Sequence, residues 1–296
     1  MSGLRFTLSY EGADADQHAI DLYDVSQALI GFQRSLALTT HLLLNGEIIT
    51  QAPSLRGARI YAEPAAPGSW KMTAVVAMLG AGMFKLGTLE NNSPIGHLMF
   101  SLYDYVISES LGVHVDYNKS LGTLFDEAKA KKAELPSVKE HQADALIEKA
   151  HRAIIEMHRP IVKTETATHA LLTGGATETG RPLKVKLSME TFEYIQETIS
   201  ADTPEMFEGR VSSYNSNTFK GRIYIARYGR PIAFELAPTA RSPRNVQLVA
   251  TSLFHSALKQ YNEKGCKIHV LALQNSSKSG TLKSLTITQL NDSPLK

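Results

Sequence analysis

The chain is poor in the residues that form disulfides or bind metals through sulfur. Among its 296 residues there is one cysteine, Cys266, and one tryptophan, Trp70. A single cysteine excludes an intramolecular disulfide framework and a cysteine-rich zinc site. It is typical of a protein in a reducing compartment, so we expect a cytoplasmic location.

Long apolar stretches are also missing. The strongest candidate, residues 72–84 (MTAVVAMLGAGMF), has 13 residues, whereas a membrane-spanning helix needs about 20. The first ten residues lack the apolar segment of a secretory signal. The sequence therefore predicts no membrane span, and residues 72–84 are interpreted as a buried strand that leads into a helix.

Catalytic motifs are absent as well. The sequence has no G-x-S-x-G, H-E-x-x-H or C-x-x-C pattern, and the glycines of residues 173–180 lack the GK[ST] of a P-loop. The steps His151-Arg152 and His158-Arg159 lie about 10 Å apart along a predicted helix, too far for one metal ion. They indicate salt bridges or a phosphate-binding helix face. We predict no cofactor and no metal, and an enzyme with a dispersed site stays an open alternative.

Charge is distributed unevenly along the chain. The overall balance is 31 basic and 29 acidic residues, but residues 209–296 hold 13 Lys and Arg against three acids, Glu235, Glu263 and Asp292. This segment has a net charge of +10, and residues 1–208 have a net charge of −8. A basic segment of this size favours a polyanionic partner.

The apolar pattern predicts an α+β protein with two domains. Alternation over residues 4–10 indicates a strand, helical spacing over residues 18–44 and 138–157 indicates long helices, and residues 59–62 and 70–78 form a predicted hairpin. Residues 1–200 are therefore interpreted as an acidic mixed α/β domain that can oligomerise, followed by a linker at residues 200–206.

Beyond residue 206 the pattern changes to short alternating runs. Five predicted strands and one interposed helix indicate a basic five-stranded β-barrel of the OB or SH3 type over residues 207–296. The predicted strands cover residues 210–214, 220–226, 231–236, 267–273 and 281–290, and the helix covers residues 246–261.

Several segments also resemble a family of uncharacterised bacterial proteins. They are FTLSYEG, GARIYAEPAAPGSWKM, AHRAIIEMHRPIV, FKGRIYIA and GCKIHVLALQNSSKSGTLKSLTI. The resemblance implies an architecture, a mixed α/β region followed by a five-stranded barrel, and it implies no activity.

Cations and aromatic residues alternate within the predicted barrel. Cations neutralise phosphates and aromatic rings stack on unpaired bases. The sequence therefore predicts a nucleic-acid-binding surface that consists of Arg210, Lys220, Arg222, Tyr224, Arg227, Tyr228, Arg230, Arg241 and Arg244. Alternation along residues 220–226 places Lys220, Arg222 and Tyr224 together on the outer face.

Two hypotheses follow. The first is a protein without enzymatic activity that binds or senses DNA or RNA through the basic barrel, a role that would suit bacterial defence against phage. The second is an assembly protein whose basic barrel contacts the acidic domain of a neighbouring subunit, in a homo-oligomer or with another protein partner. A solvated basic face is the third interpretation of the same residues.

Overall fold

Two separate apolar cores organise the chain. The computed structural model describes residues 3–49, 55–63, 70–78, 94–130, 138–175, 180–277 and 280–293. Its contacts form two compact units, Met1–Gln196 and Glu197–Lys296, and each unit encloses its own cluster of buried hydrophobic residues. Helices and sheets occur together, which confirms the α+β class.

The first unit combines an antiparallel sheet with the longest helices. Its described strands are β1 Leu4–Glu11, β2 Ala58–Glu63, β3 Trp70–Met78, β4 His169–Gly175, β5 Arg181–Pro182 and β6 Leu187–Ser188. Its described helices are α1 Leu22–Asn45, α2 Pro94–Ser110, α3 Thr123–Ala130, α4 Glu140–Glu156, α5 Arg159–Val162 and α6 Met189–Gln196. The strand order is β2-β3-β1-β4-β5, and β6 also pairs with β4.

Strand β1 lies at the centre of this sheet, between β3 and β4, and its two faces differ in polarity. The predicted alternation is confirmed, since Leu4, Phe6, Leu8 and Tyr10 are all buried in the core. The Tyr10 hydroxyl donates a hydrogen bond of 2.7 Å to the carbonyl oxygen of Met157, just past α4. A residue on the sheet therefore fixes the end of a helix in the core.

The first long helix begins four residues later than the sequence pattern predicts. His18 adopts a left-handed backbone conformation (φ 62°), which interrupts the chain before α1. Asp21 then caps the helix, and its carboxylate accepts a hydrogen bond of 2.8 Å from the backbone N–H of Asp24. The helix ends as predicted at Gly46, which has φ 70°.

The apolar segment of residues 72–84 is a strand as far as Met78, where β3 ends. The rest of that segment lies outside the described residues. Among the helices of the described part of the chain, none has the length and apolar character needed to cross a bilayer.

The second unit is the predicted barrel. Its described elements are β7 Ile199–Ser200, β8 Glu205–Asn215, β9 Lys220–Ile225, β10 Arg230–Leu236, α7 Pro243–Ala257, β11 Ile268–Ser276 and β12 Leu282–Asn291. Strands β8 to β12 close on themselves in the order β8-β9-β10-β12-β11, and β11 pairs with β8. The pair β10–β12 is parallel, and the other pairs are antiparallel.

This connectivity favours the OB arrangement over an SH3-like meander. A helix, α7, separates the third and fourth strands, so the fifth strand enters beside the third and runs parallel to it. The side chain of Ser252 holds α7 against the barrel. Its hydroxyl accepts a 2.9 Å hydrogen bond from the backbone N–H of Val211 and donates one of 2.5 Å to the carbonyl of Cys266.

The segment predicted as a linker, residues 200–206, belongs to the barrel unit. Ser200 pairs with Asn275 of β11, and β8 already begins at Glu205. The sequence pattern did not show this, because Thr203 and Pro204 break the alternation between the two strands.

Candidate nucleic-acid interface

Strand β9 and the turn that follows it carry most of the predicted site residues. Arg210 lies on β8, whereas Lys220, Arg222 and Tyr224 lie on β9. Arg227 and Tyr228 form a short 3₁₀ turn after β9, and Arg230 begins β10. Arg241 and Arg244 lie beyond β10, at the start of α7.

Arg210 is sandwiched between two tyrosine rings. Its guanidinium carbon is 4.1 Å from the ring centroid of Tyr224 and 4.4 Å from that of Tyr261. The first contact follows from the strand register, which places Arg210 directly opposite Tyr224. We call these three residues the Arg210 stack. Both contacts are of the cation–π type, which holds the side chain while its charge is retained.

A second arginine–aromatic group lies at the turn between β9 and β10. The guanidinium of Arg227 is 4.9 Å from the ring centroid of Tyr228 and 5.5 Å from that of Phe207. Arg227 also donates a 2.6 Å hydrogen bond to the Tyr228 hydroxyl and lies 3.8 Å from a carboxylate oxygen of Glu205. Its side chain remains 60% exposed, so a ligand can still reach the charge.

The remaining arginines are spread over other parts of the barrel. Arg241 lies over the ring of Phe219 at 4.8 Å and donates a 2.9 Å hydrogen bond to the carbonyl of Leu236. Phe219 belongs to the loop between β8 and β9, at the end of the barrel opposite Arg227. Because β9 has six residues, the two ends are about 17 Å apart.

Two further predicted arginines contact strand β12. The guanidinium of Arg230 donates a 2.9 Å hydrogen bond to the carbonyl of Leu282, where β12 begins. Arg244 is 3.5 Å from the side-chain oxygen of Asn291, where the same strand ends. Both partners are uncharged, so both guanidinium groups keep their full positive charge.

The expectation for Arg222 needs a correction. Its position on β9 points away from the barrel core, as predicted, but only 6% of the residue is exposed. Its cross-strand neighbour Ser213 is also buried, at 5%. Arg222 is therefore not the solvent-facing cation that alternation predicted. Alternation distinguishes the two faces of a strand but does not show what covers the outer one.

Most of these cations are not neutralised by carboxylates. Within the described residues, no carboxylate lies at ion-pairing distance from Arg210, Arg230, Arg241 or Arg244, whereas Lys267 lies 2.8 Å from Glu208. That contact lowers the pKa of the Glu208 carboxyl. These four arginines, of which Arg241 and Arg244 are exposed and Arg210 and Arg230 half-buried, thus differ from Lys267 in having no carboxylate to compete with a ligand.

The structure divides the two units between Gln196 and Glu197. With this boundary the difference in net charge between the units is smaller than with the boundary at residue 209, but it remains. Four acids that precede residue 209 (Glu197, Asp202, Glu205 and Glu208) belong to the barrel unit. The barrel unit has 13 basic and seven acidic residues, a net charge of +6, and the first unit has 18 and 22, a net charge of −4. The barrel therefore remains basic.

Two aromatic members of these groups were missed by sequence reasoning. Phe207 lies between the predicted linker at residues 200–206 and the first predicted strand at residues 210–214, and Tyr261 follows the end of α7 in a loop. The only signal for Tyr261 was its spacing from Phe254, seven residues earlier, on a helix that was predicted to continue to Tyr261. The contact between Tyr261 and Arg210 depends on how α7 packs on β8, which no local pattern specifies.

The two histidine–arginine steps do not share a helix face. Helix α4 ends at Glu156, so His158 lies in the turn before α5. His158 is fully buried, with Nδ1 2.8 Å from the carbonyl oxygen of Ile154 and Nε2 3.0 Å from the Thr191 hydroxyl. Burial lowers its pKa to about 4. Arg159 forms a 2.9 Å ion pair with Asp24, so this step has a structural role in the core.

In the part of the chain that the structure describes, no group of three or more His, Cys, Asp or Glu side chains is arranged to hold a metal ion.

Comparison with known families agrees with the two-unit architecture. A model described as Domain of unknown function (DUF7946) matches residues 6–196, and one described as Family of unknown function (DUF7947) matches residues 203–291. No curated protein and no solved structure matched the chain. The resemblance to a family without an assigned activity is confirmed, and the chain belongs to the family described as Domain of unknown function (DUF7946).

Proposed function

We propose that the protein binds nucleic acid through arginines of its C-terminal barrel and that this binding needs no catalysis. The supporting observation is that Arg210, Arg230, Arg241 and Arg244 contact rings, carbonyl oxygens or an amide, and no carboxylate among the described residues. A phosphate can therefore approach these cations without displacing an acidic side chain.

The aromatic contacts support the same proposal. A flexible arginine loses side-chain entropy when it binds, and a ring that already orders the guanidinium lowers that cost. Arg210, Arg227 and Arg241 each lie over at least one ring. The barrel is also of the OB type, a fold that often binds oligonucleotides, although this is an analogy at the level of the fold.

The salt dependence of binding tests the proposal. We expect the double variant Arg241→Gln/Arg244→Gln, which removes two exposed arginines without a carboxylate partner among the described residues, to bind a fluorescein-labelled 20-nucleotide DNA at least about tenfold more weakly at 100 mM salt. The slope of log K against log salt should fall by about 1 to 2, because each lost phosphate contact removes about 0.7 to 0.9 from it. Fluorescence anisotropy from 50 to 300 mM NaCl measures both quantities.

A matched control has the same change in net charge. Lys119 and Lys267 are both exposed and both lie within 4.0 Å of a carboxylate, Asp116 and Glu208 respectively. The variant Lys119→Gln/Lys267→Gln should keep the slope of the parent protein. Equal losses in the two double variants would show that only net charge matters. No measurable binding of the parent protein to DNA or RNA at 50 mM salt would rule the proposal out.

A further inference from the structure

We infer that the bound nucleic acid is single-stranded and that its bases stack on the side of the barrel formed by β8 and α7, with Tyr261 as the main platform. This inference rests on the proposed function and adds the class of ligand and its location. It differs from the usual OB site, which lies on the face of the second and third strands.

The second and third strands here, β9 and β10, offer little surface for stacking. Arg222, in the middle of β9, is buried. The β10 residues opposite Tyr224 and Arg222 are Pro231 and Ala233, and neither has an aromatic ring. Farther along, Lys220 faces Glu235, an acid that would repel phosphate. This face therefore fits a nucleic acid poorly.

Strand β8 and the segment after α7 have the required chemistry. Tyr261 lies against Arg210 and is 44% exposed, so a base can reach it from solvent. Arg210 also lies against a second ring, Tyr224, its cross-strand neighbour on β9. A base placed on Tyr261 would therefore lie close to a positive charge that two rings hold in place.

Further exposed apolar groups continue the surface along α7. Phe254 is 59% exposed and Leu258 is 53% exposed, and these residues precede Tyr261 by seven and three positions. Lys259 and Lys264 flank Tyr261 in sequence, and both are exposed. Rings and apolar side chains with cations on either side are the features that track a flexible, negatively charged strand.

Single-stranded ligands are favoured because the faces of paired bases are hidden within a duplex. An aromatic platform gains stacking energy only from a base whose face is accessible, whereas phosphate contacts alone do not distinguish single strands from duplexes. We therefore expect the full-length protein to bind a mixed-sequence 20-nucleotide DNA at least about tenfold more tightly than the duplex of the same sequence at 100 mM NaCl.

Substitutions at Tyr261 separate ring stacking from folding. Tyr261→Leu should weaken binding of the single strand by about 5- to 100-fold, the effect of one lost base stack, and leave the salt slope unchanged. Tyr261→Phe should bind like the parent, because the ring is kept. Tyr23→Leu is the matched control, since Tyr23 is 65% exposed and lies 5.2 Å from Arg159 in the other unit. Anisotropy titrations measure affinity, and thermal melting verifies the fold of each variant.

The outcomes distinguish this inference from the proposal on which it rests. Equal affinity for single strand and duplex, with Tyr261→Leu unchanged and Arg241→Gln/Arg244→Gln weakened, would overturn the inference and leave the proposed function intact. Failure of the parent protein to bind either ligand would overturn both. Self-association that Phe254→Ser abolishes, without any effect on single-strand binding, would assign this surface to a second copy of the chain and also overturn the inference.

Discussion

At the scale of single residues, His158 shows how packing can decide a protonation state. The ring is fully buried between the end of α4 and α6, and its Nδ1 lies 2.8 Å from the Ile154 carbonyl oxygen. A neutral imidazole can donate one hydrogen bond to that carbonyl. A charged ring would bury a positive charge away from water, and this is why burial lowers the pKa to about 4.

This pKa makes the first unit sensitive to mild acid. The unfolded chain binds a proton at His158 near pH 6.5, and the folded chain does so only near pH 4. Stability is therefore complete above about pH 6.5 and is lost as the pH falls from there toward 4. Between pH 7 and pH 5 the loss from this residue is about 2 kcal/mol. Urea unfolding followed by circular dichroism at both pH values measures it.

The variant His158→Gln isolates that contribution, because glutamine does not titrate. It should be less stable than the parent at pH 7, but the further loss on going to pH 5 should be smaller by about 2 kcal/mol. If parent and variant lose the same stability between the two pH values, His158 does not carry the effect.

At the scale of elements, the contact between α1 and α4 depends on one glycine. A Cβ atom added to Gly31 would lie 2.3 Å from the carbonyl oxygen of Ala153 on α4, a distance that no side-chain movement can relieve. The absence of a side chain lets the two helix backbones approach closely. The contact thus stabilises the core despite the low helix propensity of glycine.

We expect Gly31→Ala to destabilise the first unit even though alanine favours helices. The gain in helix propensity is about 1 kcal/mol, and the forced separation of two packed helices costs about 2–3 kcal/mol. The net effect should lower the melting temperature by about 3–6 °C. Differential scanning calorimetry measures it, and Gln33→Ala, an exposed position on the same helix, should change little. A melting temperature at or above that of the parent would contradict the proposed backbone contact.

Local sequence patterns predicted most elements but not the contacts between them. The alternation in residues 4–10 and the five barrel runs are properties of short segments, and the structure confirms them. The predicted start of α1 was wrong because the apolar pattern does not indicate the left-handed backbone conformation of His18. The burial of Arg222 and the stacking of Tyr261 on Arg210 depend on residues distant in sequence, so they could not be predicted from spacing.

At the scale of the whole molecule, two units with separate cores carry opposite charge. The core of the barrel unit consists of residues from Phe207 to Leu290, and that of the first unit consists of residues from Leu4 to Ile195. Each core is built from residues of its own unit, so we expect each unit to fold by itself. The barrel unit has a net charge of +6 and the first unit −4.

A fragment of residues 197–296 should therefore fold and retain the binding activity. We expect it to bind the single strand at least as tightly as the full chain at 50 mM NaCl, because the acidic unit that repels phosphate is absent. The difference should shrink at 300 mM NaCl, where screening shortens the range of that repulsion. Circular dichroism and anisotropy measure folding and binding, and the fragment of residues 1–196 should not bind. Binding confined to the 1–196 fragment would contradict this assignment.

Closure of the barrel has a practical consequence. Each of the strands β8 to β12 has a neighbour on both sides, so within the described residues the open edge of this sheet is the two-residue strand β7, which pairs with β11 alone. A sheet with so short an open edge resists edge-to-edge aggregation. The module should therefore tolerate transfer into fusion proteins, where it could serve as a soluble carrier for sequences grafted into its loops.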